Sequence, residues 1–95
     1  MTSYKLRFHE LALEEWRKLD HTLREQFKKK LAERLTHPRV PAAALSGMPD
    51  CYKIKLRKAG YRLVYRVDDQ TVSVLVLAVG KRERLKVYLA AAERE

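Results

Sequence analysis

Apolar and polar positions alternate most clearly over residues 51–67. Tyr52, Ile54 and Leu56 fall on one face of a strand, and Lys53, Lys55 and Arg57 fall on the other. Ala59-Gly60 breaks the run, and glycine supplies the positive φ of a tight turn. The alternation then resumes, with Tyr61, Leu63, Tyr65 and Val67 set against Arg62, Val64 and Arg66. A two-residue loop at Ala59-Gly60 predicts Lys58 opposite Tyr61, Arg57 opposite Arg62, Lys55 opposite Val64 and Lys53 opposite Arg66. That register gathers the apolar residues on one face and sets five cations around Val64 on the other. A slip of one residue would mix the faces.

The pattern extends to both sides of this hairpin. Tyr4, Leu6 and Phe8 alternate with Lys5 and Arg7, which predicts a short strand. Ala12, Trp16 and Leu19 then recur at helical spacing, with Leu11 widening the stripe and a stop near Asp20-His21. Thr22 and Glu25 read as a capping box that starts a second helix, whose core stripe is Leu23, Phe27, Leu31 and Leu35. Lys28, Lys29 and Lys30 read as its solvated face. His37-Pro38 ends the helix. The loop from Pro38 to Pro49 is long enough to be an ordered excursion, pinned by Leu45. Asp68-Asp69-Gln70 makes a turn, and the apolar run from Thr71 to Val79 reads as a covered central strand ended by Gly80. Leu85 to Ala92 reads as a C-terminal helix with Leu85, Leu89 and Ala92 on its buried face. The order is β-α-α-β-β-β-α. It predicts one α+β domain over residues 1–95, an antiparallel sheet carrying an αα-hairpin on one face and a C-terminal helix, with the cationic hairpin face open.

Charge sharpens this picture. Lys and Arg number 21 against 12 Asp and Glu, and residues 51–95 carry +6 of the net +9. Like charges opposite one another destabilise a sheet, so a single-sign face points to an anionic partner such as a phosphate backbone. A lysine-rich edge that blocks strand-to-strand aggregation is the other reading. The single Cys51 excludes an internal disulfide and reads as a buried thiol. There is no apolar run long enough to span a membrane and no signal-peptide pattern at the start, so a cytoplasmic location is expected.

The candidate chemistry is narrow. His9, His21 and His37 share no metal-ligand spacing, and no metal or other cofactor is expected. Gly-rich phosphate loops, paired carboxylates and a serine with a nearby histidine are also missing from the pattern. Lys, Arg and Tyr remain. That set suffices to cleave RNA, because the substrate's own 2′-OH is the nucleophile. The protein must align it, take its proton, stabilise phosphate charge and protonate the leaving oxygen. A free lysine is a poor base, but crowding among Lys53, Lys55, Arg57 and Arg62 lowers a lysine pKa.

The segment GMPDCYKIKLRKAGYRLVYRV (47–67) closely resembles the RelE toxins of bacterial type II toxin–antitoxin systems. So do LEEWRKL (13–19), REQFKKKL (24–31) and VGKRERLKVY (79–88). The resemblance covers essentially the whole chain and implies a RelE-like, microbial-RNase-like fold. It also implies a ribosome-dependent mRNA interferase that cuts mRNA in the ribosomal A site, with a RelB-type antitoxin as partner. Operator DNA would be met only through the antitoxin complex. By position, Lys55 is implied as general base, Arg82 as general acid, Lys53 and Arg62 as phosphate ligands and Tyr88 as the residue that orients the scissile nucleotide. Arg57, Lys58, Arg66, Lys81 and Arg84 are expected to bind RNA. The resemblance further implies that the C-terminal helix covers the site when the antitoxin is bound. Ser46 stands where the family's closest pattern has an Arg, and Arg39 or Lys58 is a candidate replacement. Two other readings stay open: a ParE-type gyrase-inhibiting toxin and a binding module without turnover.

Overall fold

The computed structural model describes residues 3–82 and 86–95. The elements are β1 (Lys5–Phe8), α1 (Glu10–Lys18), α2 (His21–Thr36), β2 (Cys51–Leu56), β3 (Tyr61–Asp68), β4 (Ser73–Lys81) and α3 (Lys86–Arg94). The α+β class and the element order match the expectation. The sheet order is β1-β4-β3-β2. Here the expected antiparallel sheet needs correction. β2, β3 and β4 are antiparallel, but β1 runs parallel to β4. Hairpin turns fix the direction of the last three strands. β1 leads instead into two helices, so no turn sets its direction.

Helix boundaries follow from local chemistry. Asp20, not Thr22, caps α2: its Oδ1 accepts a hydrogen bond from the Leu23 amide at 2.9 Å. Thr22 lies inside the first turn. Ala12, Leu19, Leu23, Phe27 and Leu31 are buried as their spacing predicts, whereas Leu11 is exposed. Phe8, Trp16 and Phe27 form an aromatic chain from β1 through α1 to α2, with ring centroids 5.3 and 6.2 Å apart. Among the described residues no helix is long and apolar enough to cross a membrane.

The sheet is covered on both faces. α1 and α2 pack on Ile54, Leu63, Tyr65, Val74, Val76 and Val79. The opposite face carries a smaller cluster of Cys51, Val64, Leu77 and Ala78 under Val87 and Ala91 of α3. The cationic face, expected to be open, is therefore partly covered by α3. The buried face of α3 is Val87 and Ala91. Leu89 and Ala92, expected inside, are exposed, and Leu85 lies outside the described residues. Two features bring α3 down. A register shift between Val64 and Tyr65 leaves Leu77 unpaired, so Leu77 and Ala78 both join the smaller cluster. A Cβ on Gly80 would sit 3.3 Å from Val87 Cγ2, so glycine permits the close approach. Gly80 does not end the strand, which continues to Lys81.

β1 pairs with β4 only as far as Val76. Beyond it, side chains satisfy the outer edge of β4. Glu15 Oε1 accepts from the Val79 amide at 3.0 Å, and Arg94 Nη1 donates to the Leu77 carbonyl at 2.9 Å and to Glu15 Oε1 at 2.8 Å. The loop after α2 is an ordered excursion. It makes a 3₁₀ turn at Pro41–Ala43, bridges to β2 through Ala44 and Tyr52, and packs Leu45 on the smaller cluster.

Candidate active site

The β2–β3 hairpin closes with a four-residue turn, 57–60, so Leu56 faces Tyr61. The Gly60 amide donates to the Leu56 carbonyl at 2.9 Å, and Gly60 takes φ 71°. This register differs by two residues from the expected one. A two-residue shift preserves the faces and changes the partners. Lys55 now stands directly opposite Arg62, and Lys53 opposite Val64.

The turn end concentrates positive charge. The Arg82 amide donates to the Gly60 carbonyl at 2.6 Å, which ties the end of β4 to the hairpin turn. Lys55 is held below the ordinary lysine range, first by the charge of Lys53, then by partial desolvation and by Arg62, Arg57 and Arg82. Arg62 is only 7% exposed. Its Nη1 donates to the Tyr61 carbonyl at 3.1 Å, and no carboxylate pairs with it among the described residues. A buried cation without an anion costs free energy. The site is thus prepared for an anionic ligand. Tyr88 packs partly buried against the Cys51–Val64 cluster, on the same sheet face.

The remaining expected RNA-binding residues disperse. Arg57 and Lys58 are exposed in the turn. Lys81 turns to the other face, since neighbouring Gly80 faces α3, and it lines a groove with Glu15, Lys18 and Tyr61. Arg66 stands at the far end of the hairpin opposite Cys51, in a groove with Arg39, Asp50, Asp68 and Asp69. Arg84 lies outside the described residues. Arg39 is not free to replace an arginine at Ser46. It bonds Asp50 at 2.9 Å, Asp69 at 2.8 Å and the Tyr52 hydroxyl at 3.3 Å.

Sequence reasoning missed Arg34. Its Nη1 donates to the Lys53 carbonyl at 3.1 Å and to the Tyr65 hydroxyl at 2.9 Å, and its guanidinium lies 5.8 Å from the Tyr65 ring centroid. Tyr65 in turn donates to the Pro38 carbonyl at 2.7 Å. The clue was spacing: Phe27, Leu31 and Arg34 recur at i, i+4, i+7, which turns Arg34 toward the sheet. Arg34 thereby clamps the strand that bears Lys53 and Lys55. Among the described residues no group of three or more His, Cys, Asp or Glu is placed to hold a metal ion.

A small α+β sheet whose cation cluster has no carboxylate partner among the described residues is suited to an anionic ligand. Comparison with known proteins narrows the class. A family model described as the ParE toxin of the type II toxin–antitoxin system parDE matches residues 6–86. The chain is 62% identical over 92 residues, 97% of either chain, to the mRNA interferase toxin RelE of Escherichia coli K12. The free state of a mutant Escherichia coli RelE toxin superposes with TM-score 0.90 at 60% identity, covering 97% of both chains. The toxin in the intact Escherichia coli RelBE toxin–antitoxin complex gives TM-score 0.83 at 63% identity, over 86% of this chain and 100% of that one. The chain belongs to the RelE toxin family.

Proposed function

We propose that this chain is the toxin of a type II toxin–antitoxin pair and an mRNA interferase that cuts mRNA in the ribosomal A site without a metal. The observation that carries the reading is the buried, unpaired Arg62 facing Lys55, whose pKa Lys53 lowers. The name and 62% identity of the Escherichia coli relative support it. Neutral Lys55 takes the proton of the 2′-OH. The 2′-oxygen bonds to phosphorus as the P–O5′ bond breaks, leaving a 2′,3′-cyclic phosphate and a 5′-hydroxyl. Lys53 and Arg62 hold the non-bridging oxygens. Arg82 delivers a proton to the leaving oxygen, and Tyr88 orients the scissile nucleotide. Arg57 and Lys58 at the turn add phosphate contacts. The chain works in the cytoplasm, a RelB-type antitoxin silences it, and the pair meets operator DNA through the antitoxin.

Primer extension on a defined mRNA tests this, with and without ribosomes holding an empty A site. The expected result is a cut inside the A-site codon only when ribosomes are present. No cut in either sample, from a protein that still halts growth, would favour a gyrase target instead.

A further inference from the structure

β2 is an edge strand, and its outer edge is treated differently along its length. Near Cys51 it is bridged by Ala44, and at Lys53 it is capped by Arg34. Beyond Lys53 a groove of about 310 Å³ opens between α2 and the strand. Lys30 and Arg34 line one wall, and Lys53, Lys55 and Arg57 line the other. No carboxylate lines it, in contrast to the groove around Arg39 and Arg66, which holds Asp50, Asp68 and Asp69. Its floor is apolar, from Ile54 and the 3₁₀ turn.

Two rows of cations face each other across this groove. Lys53 and Lys55 share one side of the strand about 6.6 Å apart, and Arg57 follows them in the turn. Lys30 and Arg34 lie about 6 Å apart on one face of α2. Lys53 and Lys55 belong both to this groove and to the catalytic cluster. A strand whose scissile phosphate sits at Arg62 and Lys55 therefore passes the mouth of the groove. On the interferase reading, codon pairing in the preceding ribosomal site would hold the strand's 5′ side, which leaves the 3′ side for the groove.

We propose that the α2–β2 groove is a phosphate subsite for the mRNA strand 3′ of the cut, with Lys30 and Arg57 as its outer ligands. The inference rests on the interferase reading above. Lys30 is exposed and lies outside the catalytic cluster, so Lys30→Ala and Lys30→Glu are expected to fold normally. The experiment compares both with the unaltered chain on ribosome-bound mRNA, and repeats the comparison on mRNA with neutral methylphosphonate linkages 3′ of the cut. The expected result is a KM raised on the order of tenfold by Lys30→Ala and further by Lys30→Glu, with kcat unchanged. The salt dependence of KM becomes shallower by about 0.7 in log–log slope for Lys30→Ala. Neutral linkages raise the KM of the unaltered chain and abolish the difference between it and the variants. A KM penalty that persists on neutral linkages would overturn the proposal and assign Lys30 to ribosomal RNA. An unchanged KM in a chain that cuts normally would also overturn it and leave the interferase reading standing. An unaltered chain that never cuts would remove both.

Discussion

The two ends of the β2–β3 hairpin treat positive charge in opposite ways. At the Cys51 end, Arg39 is clamped between Asp50 and Asp69, Tyr4 donates to Asp69 at 2.6 Å, and Arg66 shares its groove with three aspartates. At the turn end, Lys53, Lys55, Arg57, Arg62 and Arg82 crowd together with no carboxylate partner among the described residues. The same two strands carry both arrangements. The fold therefore has the means to neutralise arginines where they only join a loop to a turn. Where it leaves them unneutralised, a ligand must supply the missing charge, and the repulsion between them tunes Lys55.

Replacing Lys55 is the severest test of that contrast. Lys55→Ala is expected to lower single-turnover cleavage on ribosomes about 10²–10⁴-fold with little loss of ribosome affinity. Wild-type cleavage by this variant would break the mechanism. Removing Lys53 sharpens it. Lys53 is the leading cause of the lowered Lys55 pKa, so Lys53→Ala raises that pKa toward the ordinary value of about 10.4. In the proposed mechanism cleavage needs neutral Lys55 and rises with pH, so the rising limb of the pH–rate profile should move to higher pH. A limb that stays put would separate Lys55 from the titration. The paired end should give the smallest effect. Hydrogen bonds from Tyr4 and Arg39 hold Asp69 below the usual carboxylate range, so its ion pair stabilises the fold at neutral pH. That contribution is present above the unfolded pKa of about 3.9 and disappears as pH falls through the lower folded value. Asp69→Asn should lower the melting temperature by a few degrees at most at pH 7, with no difference in strong acid and unchanged turnover.

The parts of this design legible in the sequence are those set by periodicity. Alternation assigned Lys53, Lys55 and Arg62 to one face, and helical spacing found Phe27 and Leu31. Alternation has period two, however, so it cannot tell a two-residue turn from a four-residue one, and the pairing of Lys55 with Arg62 stayed hidden. The unbroken apolar run from Val74 to Val79 concealed the irregularity at Leu77, because a residue covered on either face is apolar. The inner face of α3 was misassigned for a related reason. Val87, Leu89 and Ala91 are all apolar, and only the approach to Gly80 decides which of them turns inward. Arg34 went unremarked because one arginine in a helix rich in charged residues does not stand out from the solvated face.

The capped edge of β4 has a consequence for how the protein behaves in crowded solution. An uncovered strand edge recruits further strands. Here the Leu77 carbonyl is occupied by Arg94 and the Val79 amide by Glu15, so the last turn of α3 acts as a stopper against strand addition. Shortening the chain before Arg94 would bare that carbonyl and should promote self-association as concentration rises.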